Sequence, residues 1–166
     1  MGNQNITLIG MAGVGKSTIG KRLAKALDME VIDTDNLIEK KEKRIIPDII
    51  KHDGEDAFKS IEKDYIISLN IKNSIISTGG SVIYDIEVMN HLKSISIIIY
   101  LHAGFDSIHK RIGSKNTRRL VTNGTNSLEE LYNSRLPLYN KYADIIIDTE
   151  KDPKETVDDI IQKIKE

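Results

Sequence analysis

The sequence contains no cysteine, which excludes disulfides, thiolate metal sites and a cysteine nucleophile, and suits a reducing compartment. It has only three prolines, so no stiff linker marks a domain boundary, and no internal repeat or low-complexity stretch stands out. No apolar run approaches the ~20 residues that a membrane-spanning helix needs. The longest, such as Ile97-Ile98-Ile99-Tyr100-Leu101, are strand-sized. An excess of one charge is also missing: 24 Lys plus Arg stand against 25 Asp plus Glu, a net charge of −1. Neither nucleic acid nor an anionic membrane would be attracted in general, so any anion must be bound locally. The opening residues, Met1-Gly2-Asn3-Gln4-Asn5, carry no cationic stretch leading into an apolar one. The expectation is a cytoplasmic protein, without membrane or nucleic-acid partners, that works as a monomer.

What is present is isoleucine, 29 residues of 166, within a hydrophobic content of 39%. That is enough for a packed core, and the length suits one domain spanning 1–166. Short apolar runs predict strands at Ile6–Ile9, Glu30–Ile32, Ser74–Ser77, Ser96–Leu101 and Asp144–Ile147. Helical patterns fill the intervals: Lys16–Leu27, Thr34–Lys43, Ile46–His52, Glu55–Asn70, Ile86–Lys93, Asp106–Ile112, Ser127–Lys141 and Pro153–Ile164. Strands that are apolar on successive residues imply a sheet buried on both faces, so the fold class is α/β with a parallel sheet covered by helices. Ligands in such folds sit beyond the carboxyl ends of the strands. One polar stretch interrupts the alternation, Gly113–Asn126, with two Gly, three Asn, three Thr and two adjacent Arg; a mobile lid over about 113–126 is expected there.

Directly after the first strand stands Gly10-Met11-Ala12-Gly13-Val14-Gly15-Lys16-Ser17-Thr18, a G-x-x-x-x-G-K-[ST] loop that leads into a helix as that motif requires. The glycines let backbone N–H groups converge on phosphates at the positive end of the helix dipole. Lys16 adds a point charge for the β- and γ-phosphates, and the Ser17 hydroxyl is a ligand for Mg²⁺, which makes ATP with Mg²⁺ the expected cofactor. The second strand ends in Asp33-Thr34-Asp35. Capping of the next helix explains one of these carboxylates. Next to a phosphate loop, two carboxylates at a strand end also suit support of Mg²⁺ and orientation of a hydroxyl nucleophile.

With these motifs the chain resembles the shikimate kinase family, in the nucleoside-monophosphate-kinase-like group of P-loop folds. The resemblance runs through GMAGVGKSTIGKRLAKAL, DTDNLIE, Gly54-Glu55-Asp56-Ala57-Phe58-Lys59-Ser60-Ile61-Glu62, Ser77-Thr78-Gly79-Gly80-Ser81-Val82, Arg118-Arg119-Leu120 and Arg135-Leu136-Pro137-Leu138-Tyr139. It implies a three-layer P-loop kinase fold with a five-stranded parallel sheet in the order 2-3-1-4-5, an acceptor-binding region over about 34–62 and a lid. It further implies transfer of the γ-phosphoryl group of ATP to a hydroxyl of a small carboxylate-bearing metabolite, with shikimate at its 3-hydroxyl as the leading acceptor. On the matching positions Asp33 supports Mg²⁺ with Ser17, and Asp35 binds the acceptor hydroxyls and is the candidate base. Arg118 is the lid arginine, Arg111 its partner near the nucleotide. Lys59, Gly79, Gly80, Ser81 and Arg135 fall on the acceptor site.

Two departures stand at that site. The family carries arginine where this chain has Lys59, so the charge persists without the planar two-pronged donor. Three successive glycines in the family become Gly79-Gly80-Ser81 here, which puts a hydroxyl at the pocket. The lid signature R-P-L-L reads Arg118-Arg119-Leu120-Val121. Gluconate-like or hydroxy amino acid acceptors therefore remain open, as does a nucleotide-binding regulator without turnover. Of six arginines, four lie between 111 and 135 and none between Arg44 and Arg111, which argues against a nucleotide acceptor needing phosphate clamps. The four histidines lack metal-ligand spacing. Tyr132, Tyr139 and Tyr142 read as packing residues, and Glu62 as a partner for Lys59 on one helix face.

Overall fold

A computed structural model describes residues 4–113 and 122–166. Five parallel strands form one sheet in the order β2-β3-β1-β4-β5, the order expected from the resemblance. They are β1 Asn5–Ile9, β2 Glu30–Asp33, β3 Ser74–Ser77, β4 Ser96–His102 and β5 Ile145–Asp148. Among the described residues eight helices flank it: α1 Lys16–Leu27, α2 Thr34–Glu42, α3 Ile46–Asp53, α4 Glu55–Ile67, α5 Ile86–Ile95, α6 Phe105–Ile112, α7 Leu128–Tyr142 and α8 Pro153–Lys163. α1 packs on α8 and β3, while α4 packs on α2, α3 and α5. The core runs through the isoleucines of β1, β3 and β4, including Ile9, Ile75, Ile76, Ile98 and Ile99, none of which is exposed. A smaller apolar cluster, Ile38, Ile46, Ile49 and Phe58, ties α2, α3 and α4 together beside the sheet.

β1 is buried along its whole length, and it begins one residue before the apolar run because Asn5 is used as a brace. Its amide donates to Ile71 O at 2.9 Å and Ile95 O at 3.0 Å, and its carbonyl accepts from Ser74 N at 3.0 Å. The starts of β3 and β4 are thereby held to β1. Other element ends follow local caps. α2 stops at Glu42 because Lys43 turns left-handed at φ 52, and α4 stops at Ile67, short of the expected Asn70. Asp144 precedes β5 and instead accepts from Ile98 N at 2.9 Å. A 3₁₀ turn over Val82–Tyr84 had no periodic signal in the sequence. No helix among the described residues is long and apolar enough to cross a membrane.

Candidate active site

The carboxyl ends of β1, β2 and β3 surround a cavity of about 320 Å³, lined by loop residues between Ala12 and Thr18, by Asp33 and Asp35, and by Ser77 to Gly80. The chain leaves β1 through Gly10 at φ +145, where a Cβ would stand 2.5 Å from the Leu101 carbonyl oxygen. Glycine alone fits a turn that tight against a neighbouring strand. Gly15 then caps α1 at φ +105 with no side-chain acceptor on the first turn, which leaves first-turn N–H groups available for an anion. Met11 and Val14, each 2% exposed, anchor the loop in the core, so Ala12, Gly13, Gly15, Lys16, Ser17 and Thr18 face the cavity.

Lys16 is buried and donates to Gly10 O at 2.6 Å and Met11 O at 2.9 Å. Burial pulls its ammonium down to about 8, against the opposing pull of Asp35. Ser17 Oγ donates to Asp33 Oδ2 at 2.7 Å, while Asp33 Oδ1 accepts from Asn36 N at 3.1 Å. The two readings of Asp33 thus occupy different oxygens: one caps α2, the other joins the phosphate loop. A hydroxyl and a carboxylate so close at the mouth of a phosphate loop are the hard oxygen donors that suit Mg²⁺, which takes its remaining ligands from phosphate and water. Among the described residues no cluster of three or more His, Asp or Glu forms a self-sufficient metal site.

Across the cavity, Asp35 sits in the first turn of α2. A Cβ on Gly79 would lie 2.8 Å from Glu62 Oε1 and 3.0 Å from Asp35 Oδ1, and one on Gly80 would lie 2.7 Å from Arg135 Nη1. The Tyr139 hydroxyl donates to Gly80 O at 2.7 Å. The two glycines therefore form a floor between carboxyl groups on one side and a guanidinium on the other. Arg135, 1% exposed, reaches this floor from α7 and donates from Nε to the Tyr84 hydroxyl at 3.2 Å. Lys59 of α4 approaches the same tyrosine, its Nζ 5.7 Å from the ring centroid, with the Arg135 guanidinium carbon 5.4 Å from it. Lys59 also donates to Asn123 Oδ1 at 3.0 Å and lies 4.0 Å from Asp56.

Two placements differ from the sequence reading, and a third residue does more than was read. Glu62 does not face Lys59; it is buried, and its Oε2 accepts from Ser81 Oγ at 3.3 Å. Burial pushes the Glu62 carboxyl up to about 8, helped by Asp35, with the Ser81 hydroxyl and Arg135 opposing. Ser81 accordingly does not line the cavity, because the buried carboxyl beneath it takes its hydroxyl. Tyr139 stacks on Tyr100 with centroids 5.0 Å apart, as a packing residue should, and its hydroxyl additionally orients the glycine floor. Tyr84 was not picked out in the sequence at all, since it stands in the unforeseen 3₁₀ turn. On the nucleotide side Arg111 donates to Val14 O at 3.3 Å and Thr149 O at 3.0 Å, bridging the phosphate loop to the segment after β5. Arg118 lies outside the described residues, as does Arg119. A larger cavity of about 390 Å³ between β5 and α8 is lined by both signs of charge and includes the Lys151–Asp159 ion pair. It has no glycine loop or helix N-terminus to hold phosphate.

A phosphate loop on the central strand of a 2-3-1-4-5 parallel sheet, with a carboxylate pair at the end of β2 and a glycine floor at the end of β3, defines a P-loop kinase of small molecules. The family model described as shikimate kinase matches residues 12–165. The chain belongs to the shikimate kinase family. It is 37% identical over 160 residues to the shikimate kinase of Staphylococcus haemolyticus, covering 96% of this chain and 93% of that one. Identity to the shikimate kinase of Clostridium botulinum strain Okra is 42% over 151 residues, 88% of each chain. The shikimate kinase of Acinetobacter baumannii in complex with shikimate superposes with a TM-score of 0.86 at 30% identity, covering 97% of this chain and 92% of that one.

Proposed function

We propose that the protein is an ATP-dependent kinase that transfers the γ-phosphoryl group to the 3-hydroxyl of shikimate. The observation that carries this reading is that Asp35 and the Gly79-Gly80 floor, with Arg135 beneath it, face the phosphate loop across one cavity, in a chain of this family. Lys16 exchanges its two backbone carbonyls for phosphate oxygens, and the first-turn N–H groups of α1 share that charge. Asp35 orients the acceptor hydroxyl and takes its proton as the oxygen–γ-phosphorus bond forms and the bond to the bridging oxygen of ADP breaks. Lys59 and Arg135 neutralise the acceptor carboxylate. Mg²⁺, held by Ser17 and supported by Asp33, would supply neutralisation of phosphate charge.

The test is ADP release from Mg·ATP with shikimate, quinate, gluconate, homoserine or AMP. Strong stimulation by shikimate alone is the expected result. Stimulation by gluconate or homoserine instead would favour the second reading, a different acceptor in the same fold, for which the ammonium of Lys59 in place of a guanidinium is the observation. Tight ATP binding with no turnover across the panel would leave a nucleotide-binding regulator.

A further inference from the structure

Glu62 lies in the third turn of α4 and is 3% exposed, a degree of burial that carboxylates rarely reach unless they are paired. One of its oxygens is accounted for by the Ser81 hydroxyl. The other, Oε1, has no hydrogen-bond partner among the described residues. It is not directed at random: the point 2.8 Å from Oε1 where a Gly79 Cβ would stand is also 3.0 Å from Asp35 Oδ1, so the two carboxyl groups come within about 6 Å of each other across Gly79. A carboxyl group buried that close to a second one resists ionising. Asp35 lines the cavity and Glu62 does not.

We propose that Glu62 is a positioning residue that works as a neutral acid: Ser81 holds Oε2, which fixes the carboxyl so that Oε1 presents its proton on the Gly79 side, beside Asp35. Ser81 thereby shapes the acceptor site without touching the acceptor. The inference rests on the reading that Asp35 meets the acceptor hydroxyl. The groups acting on Glu62 from neighbouring elements agree with it. Asp35 ahead on α2 and Asp85 at the start of α5 both disfavour its charge, as does burial, while Arg135 from α7 and the Ser81 hydroxyl oppose them. Lys59 and Lys63 on its own helix are turned to Asn123 and Asp56, and to Asp85 and Glu87.

Two measurements test this. The infrared difference spectrum of wild type minus Glu62→Gln, taken without ligands at about pH 7, should show a protonated-carboxyl C=O band that fades as pH rises through the alkaline range; an absent band overturns the proposal. In steady-state ADP release, Glu62→Gln should keep acceptor KM and kcat within about threefold of wild type, and Glu62→Ala and Ser81→Ala should raise acceptor KM about tenfold with ATP KM unchanged. Between pH 7 and 9 acceptor KM should rise in the wild type and stay level in Glu62→Gln. If Glu62→Gln is as impaired as Glu62→Ala, the ionised form is the working one and the proposal fails. A wild-type chain inert to shikimate would strike the acceptor assignment while the infrared result still decides the state of Glu62.

Discussion

At Gly79 the lack of a side chain is a demand of its neighbours, because a methyl group there would enter the space between Glu62 and Asp35, 2.8 Å from one carboxyl oxygen and 3.0 Å from the other. Both carboxyl groups end flexible side chains, so the fold can yield and the site cannot. Gly79→Ala is expected to raise acceptor KM about tenfold while costing only about 1–2 kcal/mol of stability; steady-state kinetics beside urea unfolding separates the two. Glu62 gives a second expectation at this scale. Its carboxyl rises from 4.5 to about 8 on folding, so between those values the native chain holds a proton that the unfolded chain has released. Stability from this group is full below about 4.5, declines as pH rises, and is lost by about 8, with a slope of up to about 1.4 kcal/mol per pH unit. Urea midpoints over that range should fall in the wild type and lose this slope in Glu62→Gln; parallel curves would show that Glu62 folds already ionised. Residues of the phosphate loop and the Asp33-Thr34-Asp35 pair were legible in the sequence because each works within a few positions of the next. The site roles of Glu62, Tyr84 and Tyr139 were not, because their partners Ser81, Arg135 and Gly80 lie 19, 51 and 59 positions away.

Strands and helices were legible from a different signal, the runs of isoleucine bounded by caps. β3 and α1 match their sequence ranges at both ends, and the shifted starts of β1 and β5 trace to side chains that bond the backbone. Asn5 is the clearest such case. A polar residue ahead of an apolar run reads as solvent-facing, yet this one is 2% exposed and serves three backbone groups of the adjoining strands and their approaches. Its truncation to alanine strands buried donors and acceptors on both sides of β1, and each such group costs roughly 1–3 kcal/mol. Asn5→Ala should therefore lower unfolding stability by about 2–4 kcal/mol. Because β1 delivers the phosphate loop, ATP affinity should fall as well, and isothermal titration at a temperature where the variant is folded reads that second effect. A loss below about 0.5 kcal/mol would show that water replaces the amide without penalty.

At the scale of the whole molecule, the parallel sheet brings every strand's carboxyl end to one rim, which is why a loop at residue 10 and a helix at residue 135 both meet Gly80. That much followed from the sheet order. What followed from no pattern is the way Thr122 and Asn123 rest on α4: Glu55 accepts from Thr122 N and Oγ1 and from Asn123 N, and Lys59 donates to Asn123. Lys59 is thus shared among its own helix, the Tyr84 ring and this segment. On the proposed reading an acceptor carboxylate shares the ammonium with Asn123 and finds no planar pair of donors there, whereas a guanidinium can hold the asparagine carbonyl and grip a carboxylate in a two-pronged way. Lys59→Arg should accordingly lower the KM for shikimate about three- to tenfold, with kcat and the KM for ATP unchanged. Initial rates over a shikimate series at saturating ATP would show it. An unchanged KM would remove Lys59 from the carboxylate site and leave Arg135 to carry that charge; a lowered KM for a different hydroxy acid, with shikimate unaffected, would reassign the acceptor and leave the phosphate chemistry where it stands.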